Sequence, residues 1–177
     1  LEVRGDLQAL DIEELMESLN QSDVFFEGNP FVGSILLEFV KSQKIPNLNM
    51  FMTPISREEI LFLQSSDSNI ELQDLVTDVM RRKLLRRTRK QKSELSLKDL
   101  ENIEKRASSA YGELGMAWQF SSVIPNHDGE DSENWDAFYY PLGDALKSLQ
   151  SFVSLYRNEE ANHVETWEKG LLPNASN

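Results

Sequence analysis

The sequence predicts an α/β protein built on a doubly wound parallel sheet flanked by helices. Short apolar runs near residues 24, 50 and 123 read as buried strands. Between them, apolar residues recur at three- and four-residue spacing, the period of a helix with one buried face. Strands alternating with helices indicate a parallel sheet covered on both sides. At 177 residues and 40% hydrophobic content, the chain is long enough for one domain with a substantial core.

Taken in order, the first ten residues carry no clear pattern. Asp11 as N-cap, with Glu14 three residues on, opens a helix whose apolar stripe is Ile12, Leu15, Met16 and Leu19 and which ends by Asn20. Asp23 to Glu27 is an apolar run bounded by charges, expected as a buried parallel strand that Gly28-Asn29-Pro30 breaks, with Glu27 at its carboxyl end. From Phe31, the residues Val32, Ile35, Leu36, Phe39 and Val40 predict a crossover helix that stops at Ile45-Pro46-Asn47. Leu48 to Met52 is the second strand, and Ser56 with Glu59 forms a capping box for a helix from Arg57 to about Gln64.

The polar patch Ser65 to Asn69 is expected as a loop. Glu71 to about Gln91 then reads as a helix that starts acidic and ends basic, an order suited to the helix dipole. A long amphipathic helix follows, with Ser96 as cap, Asp99 in its first turn, and Leu97, Leu100, Ile103, Ala107, Ala110 and Leu114 on one face. It feeds the strand Ser122-Val123-Ile124 and the polar loop Pro125-Asn126-His127-Asp128-Gly129. Polar groups at the carboxyl edge of a parallel sheet are where ligands bind, so this loop is the first site candidate. An aromatic loop reaches Tyr140, a last helix runs from about Pro141 to Tyr156, and residues 158–177 are expected as a tail with a frayed end.

Charge and composition narrow the function. Eight of the 18 basic residues lie between Arg81 and Lys92, leaving 10 against 30 acidic residues elsewhere, a balance of −20. A single cationic island on a repelling body argues against a nucleic-acid surface and suits a local polyanion such as a nucleotide phosphate. Cysteine is absent, which excludes disulfides and thiolate metal sites, and only two histidines remain. No apolar run approaches the roughly 18–20 residues that span a bilayer, and LEVRGDLQ lacks a leader pattern, so no membrane association and a cytoplasmic location are expected.

Each candidate site has a structural alternative. Arg81, Arg82, Arg86, Arg87 and Arg89 suit a phosphate clamp, in which guanidinium forks meet phosphate oxygens; the alternative is a solvated helix end. Arg106 sits at the edge of the apolar stripe and can run along the core toward the carboxyl edge; the alternative is a surface pairing with Asn102 or Glu113. Asn126-His127-Asp128 suits a nucleobase edge or an ordinary turn. His127 with Asp128 and Glu130 is too sparse for a protein-held metal.

The Ile103-Glu104-Lys105-Arg106-Ala107 helix and the Val123-Ile124-Pro125-Asn126-His127-Asp128 strand end resemble the carboxyl-terminal part of guanylate kinases. The likeness extends back through Met52-Thr53-Pro54-Ile55-Ser56-Arg57-Glu58-Glu59 to Asp23-Val24-Phe25-Phe26-Glu27. It implies a single P-loop-kinase-like domain over 1–157, with a helical basic lid at about 65–95, and transfer of phosphate from ATP with Mg2+ to a nucleoside monophosphate. On that resemblance, Arg86, Arg89 and Arg106 are catalytic, Glu27 and Asn29 bind the acceptor, and Arg82, Asn126 and His127 bind ATP. Asn29 stands where the family often has Asp, which departs from its acceptor-base pattern. The family's Gly-rich phosphate loop, G-x-x-x-x-G-K-[ST], is not among these 177 residues, and the resemblance implies one upstream. The other class is a non-catalytic protein on the same scaffold that binds a partner.

Overall fold

In a computed structural model, which describes residues 1–65, 70–129 and 132–175, contacts divide the chain into two units, Leu1–Pro46 and Asn47–Asn177. In the first unit, the patternless N-terminal residues form a hairpin. β1 (Glu2–Val3) and β2 (Asp6–Leu7) pair antiparallel around Arg4 and Gly5, whose φ angles of 57° and 86° are those a two-residue hairpin turn requires. α1 (Ile12–Leu19) begins at Asp11, whose Oδ1 accepts from the Glu13 and Glu14 amides at 2.9 and 3.2 Å. α2 (Pro30–Ser42) is capped by Asn29 and buries Leu37 and Val40.

The parallel strand expected at Asp23 to Glu27 does not form. Residues 23–29 have no regular structure, and Phe25 is 77% exposed. An apolar run becomes a strand only where a neighbouring strand supplies its ladder, and among the described residues no strand pairs with this one. Glu27 therefore ends no strand.

The second unit is α/β. β3 (Met50–Thr53) and β4 (Ser122–Pro125) are parallel, in register from Met50 opposite Ser122 to Thr53 opposite Pro125. Between them run α3 (Arg57–Ser65), α4 (Leu72–Gln91) and α5 (Leu97–Leu114); α6 (Gly143–Tyr156) follows β4. Both capping boxes form, Ser56 with Glu59 and Ser96 with Asp99. The core joins Phe51, Ile60, Val76, Tyr111, Leu114 and Val123. Residues 66–69 of the expected polar loop, and Glu130 and Asp131, lie outside the described residues.

α4 and α5 form an antiparallel helical hairpin. Leu84 packs with Ile103 and Ala107, Arg81 grips Glu104 with two bonds of 2.7 Å, and Lys92 pairs with Asp99. Leu97 and Leu100, expected on the buried face, are exposed at 73% and 43%. They lie beside the basic end of α4, which has no apolar side chain after Leu85 to cover them.

The residues expected as a frayed tail instead pack into the core. The Val123 and Glu165 backbones exchange two hydrogen bonds of 2.8 Å, and Trp167, Leu171, Leu172 and Ala175 are buried in the core. Glu165 Oε2 accepts from the Arg57 amide at 2.9 Å and from Trp167 Nε1 at 2.8 Å, and the Tyr111 hydroxyl donates to the Pro173 carbonyl at 2.7 Å. Among the described residues, no helix is long and apolar enough to cross a membrane.

Candidate functional site

The β3–β4 ladder sets the loop that follows. The Asn126 amide continues it by donating to the Thr53 carbonyl at 2.8 Å, and Asn126 Oδ1 accepts from the Gly129 amide at 3.2 Å, closing a tight turn. The turn aims the two following side chains at different targets. Asp128 reaches the start of α6: its Oδ2 accepts from the Ala145 amide at 2.9 Å, while its Oδ1 accepts from Asn134 Nδ2 at 2.8 Å and Ser132 Oγ at 3.1 Å. α6 has Leu142 as its N-cap residue, which offers no side-chain oxygen, so Asp128 caps the helix from a distance in sequence. Burial opposes its charge, but these bonds more than compensate and hold its pKa below the ordinary value.

His127 bridges two helices. Its Nε2 lies 2.8 Å from Glu59 Oε2 in the first turn of α3, and its Nδ1 bonds Asp144 Oδ2 in the first turn of α6. Partial burial works against a charged ring, yet the bonds to Glu59 and Asp144 outweigh it and raise the imidazole pKa above its ordinary value. Asp144 is held down to about 2, first by its bond to Lys147, with burial opposing and His127 adding to the effect. Glu59 is also lowered: burial acts against it, and the Ser56 amide and His127 overcome that. A doubly bonded imidazolium has no lone pair for general-base work, so the arrangement is suited to holding elements together. The two carboxylates sit on opposite edges of the ring, and no group of three or more potential ligands among the described residues is disposed to hold a metal.

His127 and Glu59 also edge a groove of about 400 Å3 walled by Ile55, Phe62, Leu75 and Val79, with Lys83 as its third polar side chain. Lys83 Nζ donates to the Asn126 carbonyl at 3.0 Å. A second groove, about 440 Å3, lies on α4 itself and is lined by Arg82, Leu85, Arg86, Arg89 and Lys90. The four cations are exposed, and helical spacing puts them on one face while Leu84 turns inward. Asp78 pairs with Arg82 one turn earlier.

The residues nominated by the sequence therefore fall into separate places. Arg82, Arg86 and Arg89 share one groove. Asn126 and His127 sit together after β4, but Asn126 Oδ1 is engaged in the turn and both His127 ring nitrogens in the bridge to α3 and α6. Arg106 is exposed on α5 and lines neither groove, with Ile103 and Ala107 buried beside it. Glu27 and Asn29 belong to the first unit. Glu27 is exposed, and Asn29 caps α2 through its Oδ1, which accepts from the Phe31 amide at 2.9 Å, while its Nδ2 is buried without a partner among the described residues. Sequence reasoning missed Asp144 and saw Glu59 only as a cap. The available signal was an acid in the first turn of each helix. No family model, curated protein or solved structure matches this chain.

Proposed function

We propose that this chain is a binding module for a phosphate-bearing anion, with the outer face of α4 as its contact surface. The observation that carries the proposal is the exposed row Arg82, Arg86, Arg89 and Lys90 along one groove of a helix that Arg81 and Leu84 fasten to α5. Guanidinium groups meet phosphate oxygens in charge-assisted pairs, and fastening the helix lowers the cost of ordering them. A nucleotide such as ATP suits this row through its phosphates. Magnesium would arrive on those phosphates, since Asp78, beside the row, is paired with Arg81 and Arg82. A cytoplasmic location and a lack of nucleic-acid binding belong to the same reading.

The guanylate-kinase-like phosphotransferase is the second reading, supported by the resemblance and by the parallel β3–β4 pair with Asn126-His127-Asp128 at its carboxyl end. It entails the doubly wound sheet and, for turnover, a phosphate loop whose backbone amides and lysine cradle the transferring phosphate. Calorimetric titration with ATP·Mg and with inorganic tripolyphosphate separates the outcomes. The module reading predicts binding of both, weakened about tenfold for each arginine removed in Arg86→Ala and Arg89→Ala, and no ADP release with any nucleoside monophosphate. Unchanged affinity in the double variant overturns the α4 site, and turnover by these 177 residues overturns the non-catalytic reading.

A further inference from the structure

We propose that His127 is a proton-operated clasp between α3 and α6: as an imidazolium it bonds Glu59 and Asp144 together, and on losing its proton it releases one of them. The geometry carries this. Each ring nitrogen faces a carboxylate oxygen, Glu59 Oε2 at 2.8 Å from Nε2 and Asp144 Oδ2 against Nδ1. An ionised carboxylate can only accept, so both bonds require both nitrogens to donate, which only the protonated ring does. A neutral ring turns one lone pair toward a carboxylate, and that contact becomes repulsive.

The charged surroundings favour release over collapse. On α3, Glu59 keeps the Ser56 amide and hydroxyl as donors at 2.7 and 2.9 Å. On α6, Asp144 keeps Lys147 Nζ at 2.9 Å. From α4, Lys83 reaches the same loop through the Asn126 carbonyl, and within the loop Asp128 is committed to the amide of Ala145. Neither carboxylate is orphaned when the imidazole lets go, so the step uncouples α3 from the loop and α6 without unfolding either helix, while their first turns, no longer tied together, open more often. Because His127 and Glu59 both edge the apolar groove beside α3, uncoupling loosens one rim of that groove. A raised histidine pKa fixes the direction: the clasp is fully closed below the ordinary imidazole value of about 6.5 and opens as pH rises through the higher value of the folded chain.

Nitrogen-15 NMR of the imidazoles in the full chain, titrated from about pH 5 to about pH 9, tests the proposal, with His163→Gln assigning the two rings. His127 is expected to carry protons on both nitrogens at the ordinary midpoint and to titrate above it, with the midpoint falling in Glu59→Gln. Amide protection in the first turns of α3 and α6 is expected to drop about threefold or more as the ring deprotonates. His127→Gln leaves both carboxylates and both caps in place and should abolish that pH-dependent step, which keeps the test intact if Glu59→Gln does not fold. A His127 midpoint at or below the ordinary value overturns the clasp, as does a protection step that survives in His127→Gln.

Discussion

Gly143 shows what a single position contributes to the candidate site. Its φ of +56° lies in the left-handed region, and a Cβ there would fall 3.1 Å from Asp128 Oδ2, which caps α6, and 2.9 Å from Asn134 Nδ2, which donates to Asp128 and holds it there. Gly143→Ala therefore combines an unfavourable backbone with a displaced cap. We expect a loss of about 1–3 kcal/mol, read as a lowered urea midpoint with an unchanged slope. The same cap makes acid sensitivity predictable. Asp128 titrates below its ordinary value when folded, so its contribution is complete above the ordinary aspartate range and is lost as pH falls through the folded value. Little of this was visible in the sequence. Asp128 read as part of a polar turn, since nothing local says that its carboxylate will meet an amide seventeen residues on.

Elements were far more legible than side-chain partnerships. Capping and periodicity are local, and they placed α1, α3, α4, α5 and α6 within a few residues of their observed bounds. The box at Ser96 illustrates the strength of such a signal: the Ser96 amide donates to Asp99 Oδ2 at 2.9 Å, and the Asp99 amide donates to Ser96 Oγ at 3.2 Å. Ser96→Ala breaks half of that exchange at the turn joining α4 to α5. A loss of about 1 kcal/mol is expected, with amide exchange accelerated in the first turn of α5 and unchanged around buried Tyr111. Uniform acceleration along α5 would instead show that the whole hairpin had loosened. Strands were less legible because an apolar run has no local signal for its partner. Met50 to Thr53 found β4 beside it, whereas Asp23 to Glu27 formed no strand.

For the second unit as a whole, the last residues matter as much as the sheet. Trp167, Leu171 and Leu172 are each at least nine-tenths buried against residues of α3, α4, α5 and β4. Losing side chains of this size from a core costs about 2–5 kcal/mol apiece, and the sum approaches the 5–15 kcal/mol that holds a typical domain together. Truncation after Arg157 should therefore abolish cooperative unfolding. A cooperative transition in the shorter chain would show that the core closes without Trp167. A milder substitution probes the same region: Glu165→Ala leaves the part-buried Arg57 amide and Trp167 Nε1 without their shared acceptor, at a cost of about 1 kcal/mol for each bond.

The sequence by itself determined the helices, the caps at Asp11, Ser56 and Ser96, the two strands that pair and the cationic run on α4, because each depends on residues within a few positions of one another. Tertiary structure alone decided which of these come together. It drew the tail into the core through isolated apolar residues that no period announces, left Asp23 to Glu27 without a strand, and set His127 between two acids separated from it by 68 and 17 positions. Those outcomes depend on the path of the backbone through space, which brings together groups that local rules treat independently.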